Sequence, residues 1–369
     1  KMKTLGVKNR CRIFEIPKNI EYISAIPRMK KYIEYAADIY EIYLQYIDKS
    51  DIHVYSIDES FIDVTDYLKI YNKTPRALAK MLIEEIAEKK KIPATCGIGT
   101  NMYLAKIALD ITAKKSKDHI SFLDEDLYKE QLWHHKPLTD FWQIGSGIAK
   151  RLNKRGITDM YDLAHYPEEY LYKEFGINAE LIIDHSWGKE SCLMKDIKNY
   201  KGQSKSISSS QILFHDYEYE SAKLVLEEMV RNCSLDLIKR GLVSDNVNIL
   251  VGYADEIGIN VKGHVKMSSK TNVANIIMPY VDKKFYEILD KSKKIKRLGI
   301  EFANVVDKSF ESYDLFTDYN QVKKQTELGI VSNKIKSKFG KNAILMGADL
   351  QEDATTILRN KLIGGHNSE

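Results

Sequence analysis

Two adjacent carboxylates, Asp58 and Glu59, stand between the β-favouring runs Val54-Tyr55-Ser56-Ile57 and Ser60-Phe61-Ile62-Asp63-Val64. Valine, isoleucine and aromatic residues favour strands, so the pattern predicts a hairpin bent around an acidic turn. Like charges this close repel and disfavour each other's ionisation. A divalent cation removes the conflict. Hard oxygen ligands at a strand end suit Mg²⁺, which takes one or two carboxylates and leaves its other positions to water and phosphate oxygens. A polar turn facing solvent accounts for the same two residues on their own. Lys114 lies seven residues after Ile107 and continues the apolar stripe Leu104, Ile107, Ala108, Ile111 of a helix predicted over 102–114. It can extend past the helix toward the sheet, or serve the helix dipole. Gly97-Ile98-Gly99 is compatible with a phosphate loop or with a tight turn.

A second group of residues suits a phosphate backbone. Phe141-Trp142-Gln143-Ile144-Gly145-Ser146-Gly147-Ile148-Ala149-Lys150-Arg151-Leu152 reads as a helix-hairpin-helix centre. Gly145 and Gly147 let backbone N–H groups approach a phosphate at a helix N-terminus. Lys150 and Arg151 are expected in the first turn, poor for the dipole but good for an anion. An ordinary helical hairpin is the alternative; the Ile-Gly-x-Gly-Ile frame and Gly156-Ile157 favour DNA binding. Residues 195–210 hold Lys198, Lys201 and Lys205 with Ser204, Ser206, Ser208, Ser209 and Ser210. They read as a polar linker whose lysines and hydroxyls suit phosphate contacts.

These residues need scaffolds, and 369 residues imply two to four domains. An amphipathic helix over 29–46, a strand pair over 52–65, a helix over 75–90, a strand leading into Gly97-x-Gly99 and the helix over 102–114 predict an α+β layer, an antiparallel sheet with helices on one face. A small helical domain follows over 122–198. Beyond the linker, strand 209–214, helix 218–240, strands 247–253 and 264–277, helix 280–292 and strand 295–305 form a split βαβ domain. From Asp307 onward a basic helix and a mobile polar tail are expected.

Net charge is only +4, so composition alone does not announce nucleic-acid binding. The distribution says more. Lys1, Lys3, Lys8, Arg10 and Arg12 precede the first acid, Glu15, and residues 323–341 carry six lysines against Glu327 alone. Such runs are solvated faces or phosphate-binding stripes. Cys11, Cys96, Cys192 and Cys233 are scattered without metal-ligand spacing, which fits a reducing cytoplasm. No apolar run is long enough to cross a bilayer, and no signal-peptide pattern opens the chain.

Taken together, Tyr55-Ser56-Ile57-Asp58-Glu59-Ser60-Phe61-Ile62-Asp63, Gly97-Ile98-Gly99-Thr100-Asn101 and Leu104-Ala105-Lys106-Ile107-Ala108 resemble the Y-family of DNA polymerases. The helix-hairpin-helix and the split βαβ domain follow in that family's order of palm, thumb and little finger. Lys3-Thr4-Leu5-Gly6-Val7-Lys8-Asn9-Arg10-Cys11-Arg12 and the closing Arg359-Asn360-Lys361 with Gly364-Gly365-His366 are similar to the UmuC-like branch of low-GC Gram-positive bacteria. The resemblance implies a remnant of the fingers over 1–28, a palm over 29–124, a thumb over 125–198, a linker over 199–208, a little finger over 209–306 and a tail over 307–369.

It further implies template-directed nucleotidyl transfer at low fidelity, as in translesion synthesis and the SOS response. By motif match Asp58 and Glu59 are catalytic metal ligands, with two Mg²⁺ ions expected. Lys114 would contact the triphosphate, with Lys3 from the fingers. Gly145, Gly147, Lys150, Arg151, Lys205 and Ser206 would hold primer–template DNA. Ser312-Tyr313-Asp314-Leu315-Phe316 resembles a sliding-clamp peptide without its leading glutamine, with Leu315 and Phe316 as anchors, or is a plain hydrophobic anchor in a tail. A monomer is expected. The family's first motif, with a further metal-binding aspartate and the aromatic residue that excludes ribonucleotides, is expected before residue 1. Met102 stands where many relatives have lysine. The competing readings are a non-catalytic DNA-binding remnant and an unrelated metal phosphoesterase.

Overall fold

The computed structural model describes residues 2–7, 11–202, 205–256, 258–315 and 317–368, apart from the Lys3 side chain. The chain divides into two compact units, Lys30–Lys201 and Lys1–Met29 with Gly202–Glu369.

The Lys30–Lys201 unit opens with α1 (Met29–Leu44), whose buried residue is Ile42. The expected stripe is exposed at Tyr32 and Ile33, so the helix commits only its second half to the core. Strands β1 (Ile52–Val54) and β2 (Ser60–Ile62) pair antiparallel, with Ile52 opposite Ile62 and Val54 opposite Ser60. A single turn, α2 (Tyr67–Ile70), leads to α3 (Pro75–Lys90), which Thr74 caps by accepting from the Ala77 N–H and which ends at left-handed Lys91. Next come β3 (Cys96–Gly99), α4 (Met102–Ile107), a π turn over Ala108–Thr112 and β4 (Ile120–Leu123).

Strand β4 escaped the sequence reading because four residues carry too little periodicity. It pairs parallel to β3, which needs the intervening helix as its crossover. The expected antiparallel layer is therefore corrected: in this unit the strands form an antiparallel hairpin and a separate parallel pair.

Six short helices complete the unit: α5 (Glu125–Leu132), α6 (Ser146–Asn153), α7 (Met160–Ala164), α8 (Glu168–Phe175), α9 (Asn178–Ser186) and α10 (Met194–Asn199). One core joins them to the strands. Tyr103, Leu104 and Leu123 belong to the same buried cluster as Tyr128, Phe141, Leu152 and Leu171. Burying so much apolar area in one contiguous cluster ties the helical part to the strand part.

The other unit holds β5 (Ser206–Tyr217), α11 (Tyr219–Arg240), β6 (Leu242–Tyr253), β7 (Asn260–Thr271), α12 (Ala274–Ile288), β8 (Ile295–Ala303) and the short β9 (Val306–Asp307) paired to β6. The sheet order is β5-β8-β6-β7, every neighbour antiparallel. Strand β8 thus lies between β5 and β6, and β6 between β7 and β8, giving two interlocked split βαβ units. The helices bury Val225, Leu226, Val230, Ile277 and Phe285 against Val247, Val251, Leu298 and Phe302.

Three expectations change. Strand β5 starts at Ser206, three residues earlier than expected, so Ser206 to Ser208 belong to a sheet edge rather than a linker. The strand expected to run to 277 stops at Thr271, where α12 takes over. After Asp307 the expected basic helix is present, and the polar end expected to be mobile carries secondary structure. The helix, α13 (Tyr319–Phe339), packs on α11, with Gly329 facing Ile238 and the Asn333 amide donating 2.8 Å to the Leu235 carbonyl. Beyond it lie α14 (Thr356–Arg359) and the two-residue strands β10 (Leu362–Ile363) and β11 (His366–Asn367). Glu228 of α11, 1% exposed, accepts from the Thr355 N–H and hydroxyl and the Thr356 N–H at 2.8, 2.9 and 3.1 Å.

Candidate functional site

The acidic turn is held from three sides. Backbone bonds from Tyr55 and Ser56 N–H to the Glu59 carbonyl close it. The Ser56 hydroxyl donates 2.7 Å to Asp58, which is exposed at the tip. Behind it Tyr55, Phe61 and Trp142 form an aromatic trio with centroids 5.6–5.9 Å apart, and the Trp142 indole donates 3.0 Å to the Tyr55 hydroxyl. Edge-on and tilted rings of this kind add to plain area burial. Under the hairpin, Lys198 of α10 donates to the Ile52 and Lys49 carbonyls. Asp63 accepts from the Thr65 N–H and hydroxyl at 3.0 and 2.7 Å.

Glu59 faces a row of charges on α4 and the turns that follow it. Its carboxylate accepts 2.7 Å from Lys106, a side chain only 8% exposed. The same ammonium reaches Asp110 at 3.1 Å and lies 5.5 Å from the Tyr55 ring centroid. Asp110 in turn accepts 2.9 Å from Lys114. Burial works against the Lys106 charge, but hydrogen bonding to Glu59 and Asp110 outweighs it and raises the pKa above the ordinary lysine value. Burial likewise pushes the Asp110 carboxyl up, yet hydrogen bonds from Lys114 and Lys106 prevail and hold it below the usual carboxylate range. Sequence reasoning missed Lys106 and Asp110; their spacing of four on a helix face, beside an acidic turn, was the available signal.

The π turn shapes this row. The Ala113 N–H bonds to the Ala108 carbonyl, five residues back, and the Thr112 hydroxyl donates 2.9 Å to the same oxygen. The added residue rotates the buried stripe from Ile111 onto Ala113, which is fully buried, and leaves Lys114 57% exposed beside Asp110. Lys114 therefore does not continue the apolar stripe as its spacing suggested; it stands at the solvent end of the charge row.

The glycines of β3 serve neither a phosphate loop nor a turn. A Cβ on Gly97 would lie 2.2 Å from the Ala105 carbonyl oxygen and the Leu109 nitrogen, and one on Gly99 2.2 Å from the Ala105 nitrogen. Their absence of side chain lets strand and helix backbones touch. Asn101 then caps α4, accepting 2.8 Å from the Leu104 N–H while its amide donates to the Gly188 carbonyl. Between hairpin and β3 lies a cavity of about 420 Å³ lined by Glu59, Phe61, Asp63, Cys96, Gly99 and Lys106.

Gly145 is the N-cap of α6, and a Cβ at Gly145 or Gly147 meets nothing within 4 Å, so the loop backbone is open to a ligand. The basic pair sits otherwise than expected. Lys150 and Arg151 occupy the last turn of this eight-residue helix, because it begins only at Ser146. Lys150 is exposed. Arg151 is committed to Glu174 at 2.6 Å and lies 4.2 Å from the Phe175 ring centroid. In the other unit Lys205 is exposed ahead of β5, and the open sheet face around Ser208, Ser210, Lys262, His264 and Arg297 forms a polar and basic groove. Ser312 pairs with Lys270 at the free edge of β7, and Leu315 beyond it is 99% exposed. The Lys3 side chain and Phe316 lie outside the described residues.

Asp58 and Glu59 are two hard donors on one strand end, and the Lys106 ammonium already stands as a positive charge on Glu59. That donor set fits a hard divalent cation with water and phosphate oxygens as further ligands. Among the described residues no three or more histidine, cysteine or acidic side chains gather into a metal-ligand cluster.

Known proteins match along most of the chain. Residues 1–110 match the impB/mucB/samB family, and residues 204–315 match the C-terminal domain of the same family. DNA polymerase IV 2 of Bacillus subtilis (strain 168) is 32% identical over 376 residues, covering 99% of this chain and 87% of its own length. The DNA repair protein homolog YobH of the same organism is 33% identical over 184 residues, 49% of this chain and 83% of its own. Among solved structures, the Y-family DNA polymerase chimera Dbh-Dpo4(243-245)-Dbh superposes with a TM-score of 0.52 at 22% identity, covering 75% of this chain and 77% of that one. The likeness extends to the fold.

Proposed function

Because this chain belongs to the impB/mucB/samB family, the Y-family of DNA polymerases, we infer that it is a DNA-directed DNA polymerase working at low fidelity across damaged template. Its α+β palm, helical thumb and split βαβ little finger follow from that membership, as does dependence on divalent metal. The bounds 29–124, 125–198 and 209–306 for these parts belong to the proposal. The single observation that carries the site assignment is the acidic turn set against a lysine-bearing helix: Glu59 and Lys106 at 2.7 Å, with Lys114 exposed at the end of the row.

Asp58 and Glu59 would hold Mg²⁺, which when bound neutralises the triphosphate and acidifies the primer 3′-hydroxyl. The chain's own residues do the remaining work by positioning and charge. Lys114, tethered by Asp110 yet exposed, presents an ammonium to the triphosphate. The aromatic trio fixes the hairpin so that the carboxylates do not splay apart under their own repulsion. Gly145 and Gly147 offer open backbone N–H groups to template phosphates, and Lys150 adds charge. Lys205, Ser206 and the groove beside β5 track the duplex with contacts that carry little sequence information. Arg151, engaged by Glu174, contributes shape rather than a free charge. Leu315 would anchor a sliding clamp, the chain would act as a monomer, and its work on DNA places it in the cytoplasm.

Primer extension past an abasic template site tests this reading. Mg²⁺-dependent incorporation, lost in Asp58→Ala, is expected. Duplex binding without incorporation would establish a DNA-binding protein instead, and strand cleavage in the same assay a phosphoesterase.

A further inference from the structure

We propose that Lys106 is a positioning residue for the acidic turn, holding Glu59 in the cation-free site and passing to Asp110 alone when a divalent cation takes Glu59. The inference rests on the reading of Asp58 and Glu59 as the cation site. A lysine 8% exposed must keep a carboxylate partner, since an unpaired charge at this depth is strongly destabilising. One partner would suffice for that, yet Lys106 has two, Glu59 at 2.7 Å and Asp110 at 3.1 Å. The second partner makes the first dispensable. Glu59 can turn to a cation without stranding the ammonium, because Asp110 stays.

Asp110 is fitted for that part. It sits in the π turn, whose Ala108 carbonyl accepts from both the Ala113 N–H and the Thr112 hydroxyl, and the Thr112 oxygen lies 2.6 Å from the Ser121 hydroxyl. The turn is thus fixed in place and does not depend on Asp110 for its own hydrogen bonds. Signs along the row alternate: Glu59, Lys106, Asp110, Lys114. Lys106 and an incoming cation compete for Glu59, and Asp110 relieves the competition by drawing Lys106 away.

Opposite signs follow for two substitutions. Lys106→Met removes the competitor, and Mn²⁺ should bind at least fivefold more tightly. Asp110→Asn leaves Lys106 with Glu59 as its sole partner, and Mn²⁺ should bind at least threefold more weakly. Lys106→Met with Asp110→Asn should resemble Lys106→Met alone, because the asparagine acts only through the lysine. The measurement is direct Mn²⁺ binding to the full chain by electron paramagnetic resonance, without DNA or nucleotide. A lysine that merely stabilised the fold would shift the melting temperature and leave Mn²⁺ affinity within twofold, which overturns the proposal. Asp110→Asn binding equally or more tightly also overturns it, and that variant decides the matter if Lys106→Met does not fold. Should the unsubstituted chain bind no Mn²⁺, or Asp58→Ala bind it undiminished, the acidic turn is not the cation site and the premise itself fails.

Discussion

Replacing Gly97 by alanine tests the contact that aligns the charge row with the hairpin. The new Cβ would sit 2.2 Å from two backbone atoms, Ala105 O and Leu109 N, whereas ordinary contact begins at 3.4 Å. Neither atom belongs to a side chain that can swing aside, so α4 must retreat by about 1 Å. Overpacking a tight site costs about 1–3 kcal/mol, and the backbone clash puts Gly97→Ala near the upper end. For a unit of this size ~1 kcal/mol moves the melting temperature by about 2–4 °C, so a fall of about 6–12 °C is expected. The chain's three tryptophans, Trp133, Trp142 and Trp187, all lie in the Lys30–Lys201 unit, so tryptophan fluorescence reports this unit alone. Gly147→Ala is the control: nothing lies within 4 Å of its Cβ, and in a helix alanine is better than glycine by about 0.5–1 kcal/mol. That variant should melt slightly higher than the parent. A Gly97→Ala protein melting within 2 °C of the parent, at roughly a third or less of the predicted cost, would refute the backbone-contact argument.

Two further outcomes follow from buried polar groups. Glu228→Gln replaces one carboxylate oxygen by an amide that must face the N–H or hydroxyl donors of Thr355 and Thr356; with hydrogen bonds to a charged acceptor worth about 1.5–3 kcal/mol, residues 340–369 should become protease-sensitive while tryptophan fluorescence melting is unchanged. Equal protease resistance in variant and parent would remove Glu228 as the anchor. His185 is 3% exposed, stacked 3.9 Å from Tyr103 and bonded to Glu190; burial, opposed by Glu190, lowers its pKa below the ordinary 6.5. The unfolded chain then binds a proton that the folded chain refuses, so this part of the stability is present above about pH 7 and is lost as pH falls through the ordinary histidine range. The parent should therefore lose more melting temperature between pH 7.5 and 5.5 than His185→Gln does, and equal losses would count against the assignment.

The readable parts of this protein are those where local chemistry and three-dimensional placement coincide. The hairpin around Asp58 and Glu59 was legible because strand propensity and an acidic turn agree over eleven consecutive residues. The little finger was legible from long amphipathic elements, down to the split order of its strands. What escaped depends on partners distant in sequence. Lys106 looked like a polar helix position until Glu59, 47 residues earlier, came beside it. Lys114 was misplaced because spacing arithmetic assumes an unbroken α-helix, and the π turn adds a residue before it. Arg151 was misread for a similar reason: the helix starts at Ser146, and Glu174 lies 23 residues away. The serines from Ser206 onward looked like linker because their neighbour is β8, about ninety residues downstream in sequence.

The hairpin that carries the acidic turn has only three residues in each strand, and an isolated two-stranded hairpin is marginal in water. Its support comes late in the chain, from Trp142 and then Lys198, whose bond to the Ile52 carbonyl spans 146 positions. During synthesis at ~5–20 residues per second, Lys198 follows Ile52 by roughly 7–30 s. Until then the two carboxylates sit on a stretch that the nascent chain can form but not hold. The acidic turn is therefore among the last parts of its unit to become fixed, although its two carboxylates precede most of that unit in sequence.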